Sequence, residues 1–226
     1  MKFIYFILPL LALNFAFSQQ INFEQLKAFV NDKNSPFYYD HLIYEFLNDT
    51  SAFHKEYQKS YYLYYGKLFS SYKYKSSELK PRHLKFMKQL ASKKYAKAVI
   101  LGEELLKNDP INLTIILNLI ICYSENNQNN ENDERLKLLK NQAEILMKAI
   151  ADYGDGKNIN TAFKVISLSD EFSLLNYLGI NLEMYSRNSI KYNLNTVLDI
   201  WTKEQKYQKD KRNKIFIEVF TDISTK

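Results

Sequence analysis

Between residues 95 and 150 the apolar positions recur at three- and four-residue steps, the spacing of helix faces turned toward a core. Tyr95, Ala98, Val99, Gly102, Leu105 and Leu106 share one such face, and Asn108-Asp109-Pro110 stops that helix. A second helix carries Leu113, Ile116, Leu117, Ile120 and Ile121 inward, with Tyr123 near its end. Residues 124–134 hold no apolar side chain and read as a polar loop. A third helix follows, with Leu136, Leu139, Ala143, Leu146, Met147 and Ile150 on one stripe and a left-handed cap expected near Gly154. Upstream, residues 21–76 are dense in Tyr and Phe. There Asp49 and Thr50 read as a turn and helix start, and Tyr57, Tyr61, Tyr64, Tyr65 and Leu68 are expected to share one helical face.

After Gly154-Asp155-Gly156 the period shortens. Residues 161–168, 195–202 and 214–220 are rich in β-branched and aromatic residues and read as strands. The last two are expected to pair antiparallel across an exposed Lys/Gln-rich turn, with 161–168 beside them. A short helix over 170–178 is capped by Ser169, with Gly179 behind it. The expected class is therefore α+β and mainly helical: helix hairpins capped by a small C-terminal antiparallel sheet with one helix. Residues 19–153 would form the helical body and 154–226 the β-rich cap, packed together as one unit.

The first eighteen residues are set apart as a signal peptide. Lys2 precedes an apolar stretch from Phe3 to Phe17, and Ala16-Phe17-Ser18 places small residues for cleavage between Ser18 and Gln19. That stretch is shorter than the ~20 residues of a membrane span, so the mature chain is expected to be exported without an anchor, to the periplasm or the medium.

Composition narrows the partners. The 226 residues carry 31 Lys+Arg against 25 Asp+Glu, but only Arg82, Arg135, Arg187 and Arg212 are arginines. No arginine cluster offers bidentate base or phosphate contacts, and the lysines alternate with acids as on a solvated surface, so nucleic acid is not an expected partner. The single cysteine, Cys122, lies in an apolar run as a buried, inert thiol, and excludes a disulfide framework.

Catalytic signatures are missing: there is no nucleophile elbow, phosphate loop, dinucleotide glycine pattern or His-Glu-x-x-His. His41, His54 and His83 are never three or four apart, so no two share a helix face as ligands. No catalytic residue, metal ligand or cofactor is assigned. Asp155, Thr161, Asp170 and Glu171 form an acidic seam around the expected body–cap boundary; turn chemistry and helix capping account for them without a ligand. The tyrosine stripe reads either as a stacking platform for sugars or bases or as a Tyr-rich core.

Two resemblances add to this reading. Ala98, Pro110 and Tyr123 occupy positions of a tetratricopeptide-like helix pair, although only about one and a half repeats are visible against the ~3 a solenoid needs. The strings Tyr64-Tyr65-Gly66, Asn108-Asp109-Pro110-Ile111-Asn112-Leu113, Gly154-Asp155-Gly156 and residues 161–179 resemble domain-of-unknown-function family 4919, an uncharacterised exported family found largely in Bacteroidetes. That resemblance implies an exported helical-plus-β domain and no activity. The expected function is a non-catalytic protein- or peptide-interaction module, with Tyr64, Tyr65, Tyr95, Leu113 and Leu117 as candidate contacts for an exported partner. One alternative is a small-ligand binder or hydrolase-like enzyme with a body–cap pocket beside the acidic seam; another is carbohydrate binding through exposed tyrosines.

Overall fold

The computed structural model describes residues 20–56, 58–70, 76–126, 133–207 and 213–220, with backbone alone for 76–78. The expected signal segment with Ser18 and Gln19, Tyr57, and parts of the 124–134 loop and the Lys/Gln-rich turn lie outside them.

Helices α1 (Phe23–Asn31), α2 (Tyr39–Asn48), α3 (Ser51–Lys55) and α4 (Gln58–Gly66) build the aromatic front. Helices α5 (Ser76–Ala91), α6 (Tyr95–Asn108), α7 (Leu113–Asn126) and α8 (Glu134–Ala151) follow, each packed on the next. The α5–α6 and α6–α7 connections are short, which makes those neighbours antiparallel. The three helices expected from periodicity are thus α6, α7 and α8. The sequence reading did not find α5, whose polar composition and internal Pro81 weaken the helical signal. Gly102 brings α6 against α7: a Cβ there would lie 2.6 Å from Leu119 Cδ2.

The tyrosines of α4 do not form a one-sided stripe. Tyr62, Leu63, Tyr64 and Tyr65 are all buried, because α1, α2, α3 and α8 all pack on this helix. A helix buried all round has no face to display as a period. Of the two readings of the tyrosines, the core is the one realised at these positions.

Strands β1 (Phe163–Val165), β2 (Tyr185–Lys191), β3 (Thr196–Lys203) and β4 (Lys214–Phe220) form one sheet in the order β1-β4-β3-β2. β3 and β4 pair antiparallel as expected, whereas β1 joins β4 in parallel, Phe163 opposite Ile217, after a crossover through helix α9 (Leu168–Tyr177). The expected strand at 161–168 is therefore cut to three residues. Ser167, not Ser169, accepts the capping bond of α9, from Asp170 N. Gly179 closes that helix at a φ of 69°. The expected left-handed cap at Gly154 is not formed; Gly156 takes the positive φ instead. Gly154 is required for another reason: a Cβ there would collide with the Ala162 carbonyl oxygen.

The α+β, mainly helical class holds. One continuous core runs from Leu26 through Tyr64, Ile116 and Leu146 to Val165, Trp201 and Ile217. Cys122 lies inside it, and burial pushes its thiol up. Among the described residues no helix is long and apolar enough to cross a membrane.

Candidate functional site

The chemistry-bearing residues meet at the joint between helices and sheet, where consecutive residues of the first turn of α9 look in different directions. Asp170 turns toward α4: the Tyr64 hydroxyl donates to Asp170 Oδ2 at 3.1 Å and accepts from Ile166 N at 3.2 Å. Burial raises Asp170 to about 6 and raises the Tyr64 hydroxyl well above its ordinary value. Beyond it, Lys67 Nζ grips both oxygens of Asp109 at 2.6 and 2.8 Å, and the Asn112 carboxamide donates to the same carboxylate. Tyr65 reaches the other way and donates to the Lys164 carbonyl of β1 at 3.0 Å.

Glu171 turns toward the sheet. Trp201 Nε1 of β3 donates to Glu171 Oε1 at 2.6 Å. Arg187 Nη2 of β2 lies 2.6 Å from Asp199 Oδ2 and 3.3 Å from Glu171 Oε2. Both carboxylates are wholly shielded from solvent and share this guanidinium. Burial, reinforced by the Asp199 charge, raises Glu171 to about 7. Among the described residues, Glu171 Oε2 and Asp199 Oδ1 have no other hydrogen-bond partner.

Asp155 stands apart in the Gly154–Gly156 turn, where it accepts from Thr161 Oγ1 at 2.6 Å and from Lys157 N at 3.0 Å. These bonds and the Lys157 charge hold it down at about 2. The expected acidic seam is thus split over three places: a turn, the α4 contact and the sheet contact. Among the described residues no three His, Cys, Asp or Glu side chains are grouped to hold a metal.

Two concavities open beside the joint, and neither is lined by Asp155, Asp170 or Glu171. The first, about 710 Å³, lies between the start of α1, the 158–161 turn and the β2–β3 hairpin, and includes Thr161. The second, about 580 Å³, is floored by Leu117, Ile120 and Ile121 of α7, with Ala143 and Glu144 of α8 on one side and Asn176 and Tyr177 of α9 on the other.

The expected contact residues divide accordingly. Tyr64, Tyr65 and Leu113 are completely buried and unavailable to a partner docking on the folded surface. Tyr95 is half-buried against the core, and Leu117 alone among them lines a concavity. Sequence reasoning missed Lys67, Trp201, Arg187 and Asp199, because partners from distant segments leave no mark in local spacing. Asp109 was visible only as part of a helix stop.

These contacts join the strings that carried the family resemblance. Tyr64 meets Asp170, and Tyr65 meets β1; Lys67, just after the first string, holds Asp109 of the second. A family model for a domain of unknown function, DUF4919, matches residues 24–211. The chain belongs to that family. Neither the curated proteins nor the solved structures include a match to it. In this DUF4919 protein the family-like strings therefore build the joint between helices and sheet.

Proposed function

We propose that this protein is a non-catalytic interaction module that docks an amphipathic helical segment of a partner in the groove between α7, α8 and α9. The observation that carries the reading is the exposure of large apolar side chains along that groove: Ile121 is 47% and Tyr177 56% exposed. Isolated exposed apolar residues are ordinary, but several lining one concavity are the mark of a docking site. Leu117, Ile120 and Ile121 stand at i, i+3 and i+4, a ridge that packs against the side-chain rows of another helix. Ala143 is small and leaves room above this ridge, while α8 and α9 both pack on α7 and form the walls. Lys140 and Glu144 on the rim have opposite signs, so the preferred segment presents two or three apolar anchors and a mixed polar face. The two helix pairs around α6, α7 and α8 act as a short tetratricopeptide-like scaffold for it. The signal-like pattern of residues 1–18 supports an exported partner, met in the periplasm or the medium.

The buried acids support a non-catalytic reading as well. Asp170 and Glu171 have shifted protonation, yet each is buried against protein partners and lines neither of the two concavities described, which favours packing over turnover as the source of the shifts.

Selection of amphipathic helical peptides from a displayed library tests the proposal. Enriched peptides are expected to bind the purified protein and to lose at least tenfold in affinity on Ile121→Glu. They should keep it on Ile100→Glu, an exposed position of α6 outside the groove. No enrichment, or peptides indifferent to Ile121→Glu, would overturn it.

A further inference from the structure

A different observation concerns the 710 Å³ concavity on the other side of the joint. Its walls are supplied by Gln20, Ile21 and Phe23 ahead of and within α1, residues 158–161, the hairpin residues Tyr192, Asn193, Asn195 and Thr196, and Lys164, Glu218 and Phe220 of the sheet. We infer that this cavity is a binding site for a neutral saccharide of one to three residues, held by carboxamide side chains and an aromatic rim.

The lining is rich in hydrogen-bonding groups that the fold leaves unspent. Asn158 and Asn193 use only their side-chain oxygens, in local turns to Asn160 N and Thr161 N and to Asn195 N. Among the described residues their carboxamide N–H groups find no partner, and neither do the side chains of Asn160 and Asn195. A carboxamide presents two donors and an acceptor in one plane, the pattern that takes a pair of adjacent hydroxyls. Thr196 gives the second, independent sign. It is only 3% exposed, lines the cavity, and its Oγ1 has no hydrogen-bond partner. A buried hydroxyl left unpaired costs about 1–3 kcal/mol.

The charge pattern sets the ligand's class. Among the described residues, Lys164 and Glu218 are the charged ones in the lining, and they sit opposite each other in the β1–β4 register. Their charges offset, and Lys164 Nζ also donates to the Tyr153 carbonyl at 3.1 Å. No net charge is left to favour a phosphate or a carboxylate. The volume lies within the ordinary range for small-molecule sites. Tyr192 on the rim is 47% exposed; its ring offers an apolar face to the C–H face of a pyranose while its hydroxyl stays in water. Donors, acceptors and one aromatic plane without net charge match a sugar and fit an anionic metabolite or a hydrocarbon poorly.

An array of neutral mono- to tetrasaccharides of hexoses and N-acetylhexosamines, with sulfated and uronic-acid counterparts, gives the test. Hits are followed by calorimetry on wild type, an Asn160→Ala/Asn195→Ala double variant, Tyr192→Ala and Ile121→Glu. The inference expects at least one neutral sugar to bind, a loss of tenfold or more in the first two variants, and no change with Ile121→Glu. That last variant separates this site from the proposed peptide groove. Circular dichroism confirms folding; Asn160 and Tyr192 are exposed and Asn195 is half-buried. Binding of none of the neutral sugars, exclusive binding of the charged ones, or affinity unchanged in the double variant would each overturn it.

Discussion

At the scale of single residues, the joint is a set of buried polar groups whose protonation is tied to folding. Glu171 is the clearest case. Its folded-state value of about 7 lies above the ordinary 4.5, so the folded protein holds that proton more tightly than the unfolded chain does. The corresponding stability is fully present below pH 4.5 and is lost as pH rises through 7, by up to about 3 kcal/mol. Asp170, raised to about 6, acts in the same direction over a slightly lower window. Glu171→Gln keeps an acceptor for Trp201 Nε1 and supplies an N–H toward Asp199. Urea unfolding of wild type is expected to show stability falling between pH 5 and 8, and Glu171→Gln should flatten that slope. An equal slope in both proteins would remove Glu171 as its source. Asp170 and Glu171 could be picked out in the sequence, but their opposite directions could not: side chains on adjacent helical positions diverge by roughly 100°, and only the placement of α4 and β3 says what each one meets.

At the scale of elements, the strongly patterned segments were legible and the unpatterned ones were not. α6, α7 and α8 show apolar residues at helical spacing, and β3 and β4 are marked by their β-branched and aromatic residues. α4 has partners all round, so its tyrosines were assigned to a single face that does not exist. β2 failed for the opposite reason. From Ser186 to Lys191 it is exposed throughout, and as an edge strand it has no alternation to announce it. Besides Tyr185, which packs against the core, it is tied down by Arg187, whose guanidinium reaches the buried carboxylates of Asp199 and Glu171. Removing it leaves two acids without a counter-ion. Arg187→Ala is expected to cost about 3 kcal/mol or more, and hydrogen exchange should show the β2 amides losing protection well ahead of those of β4. Uniform loss over all strands, or none, would show that β2 is held by its backbone ladder alone.

At the scale of the whole molecule, one core runs through both the helices and the sheet. Tyr64 and Tyr65 of α4 hydrogen-bond to residues 164–170, Tyr65 also to the Ala149 carbonyl of α8, and Phe23 of α1 packs edge-on against Phe220 of β4 with ring centroids 5.1 Å apart. The residues that looked most like a binding stripe are the ones that fasten the two parts together. Of the expected contact residues only Leu117 falls in a surface groove, because burial along a helix pattern cannot distinguish a core position from one facing an open concavity. The proposed function of this DUF4919 protein accordingly lies at the surface beside the joint, and the stability at the joint itself.

That division is tested most directly by measuring thermal stability and peptide affinity together in two variants, Tyr64→Phe and Ile121→Glu. Tyr64→Phe strips the hydroxyl that satisfies Asp170 and Ile166 N; it should lower Tm by about 4 °C or more while leaving the affinity for a groove-selected peptide unchanged below Tm. Ile121→Glu should leave Tm within a degree or two and reduce that affinity at least tenfold. Loss of peptide binding in a folded Tyr64→Phe protein, with Ile121→Glu binding as wild type does, would place the site at the joint and contradict the account.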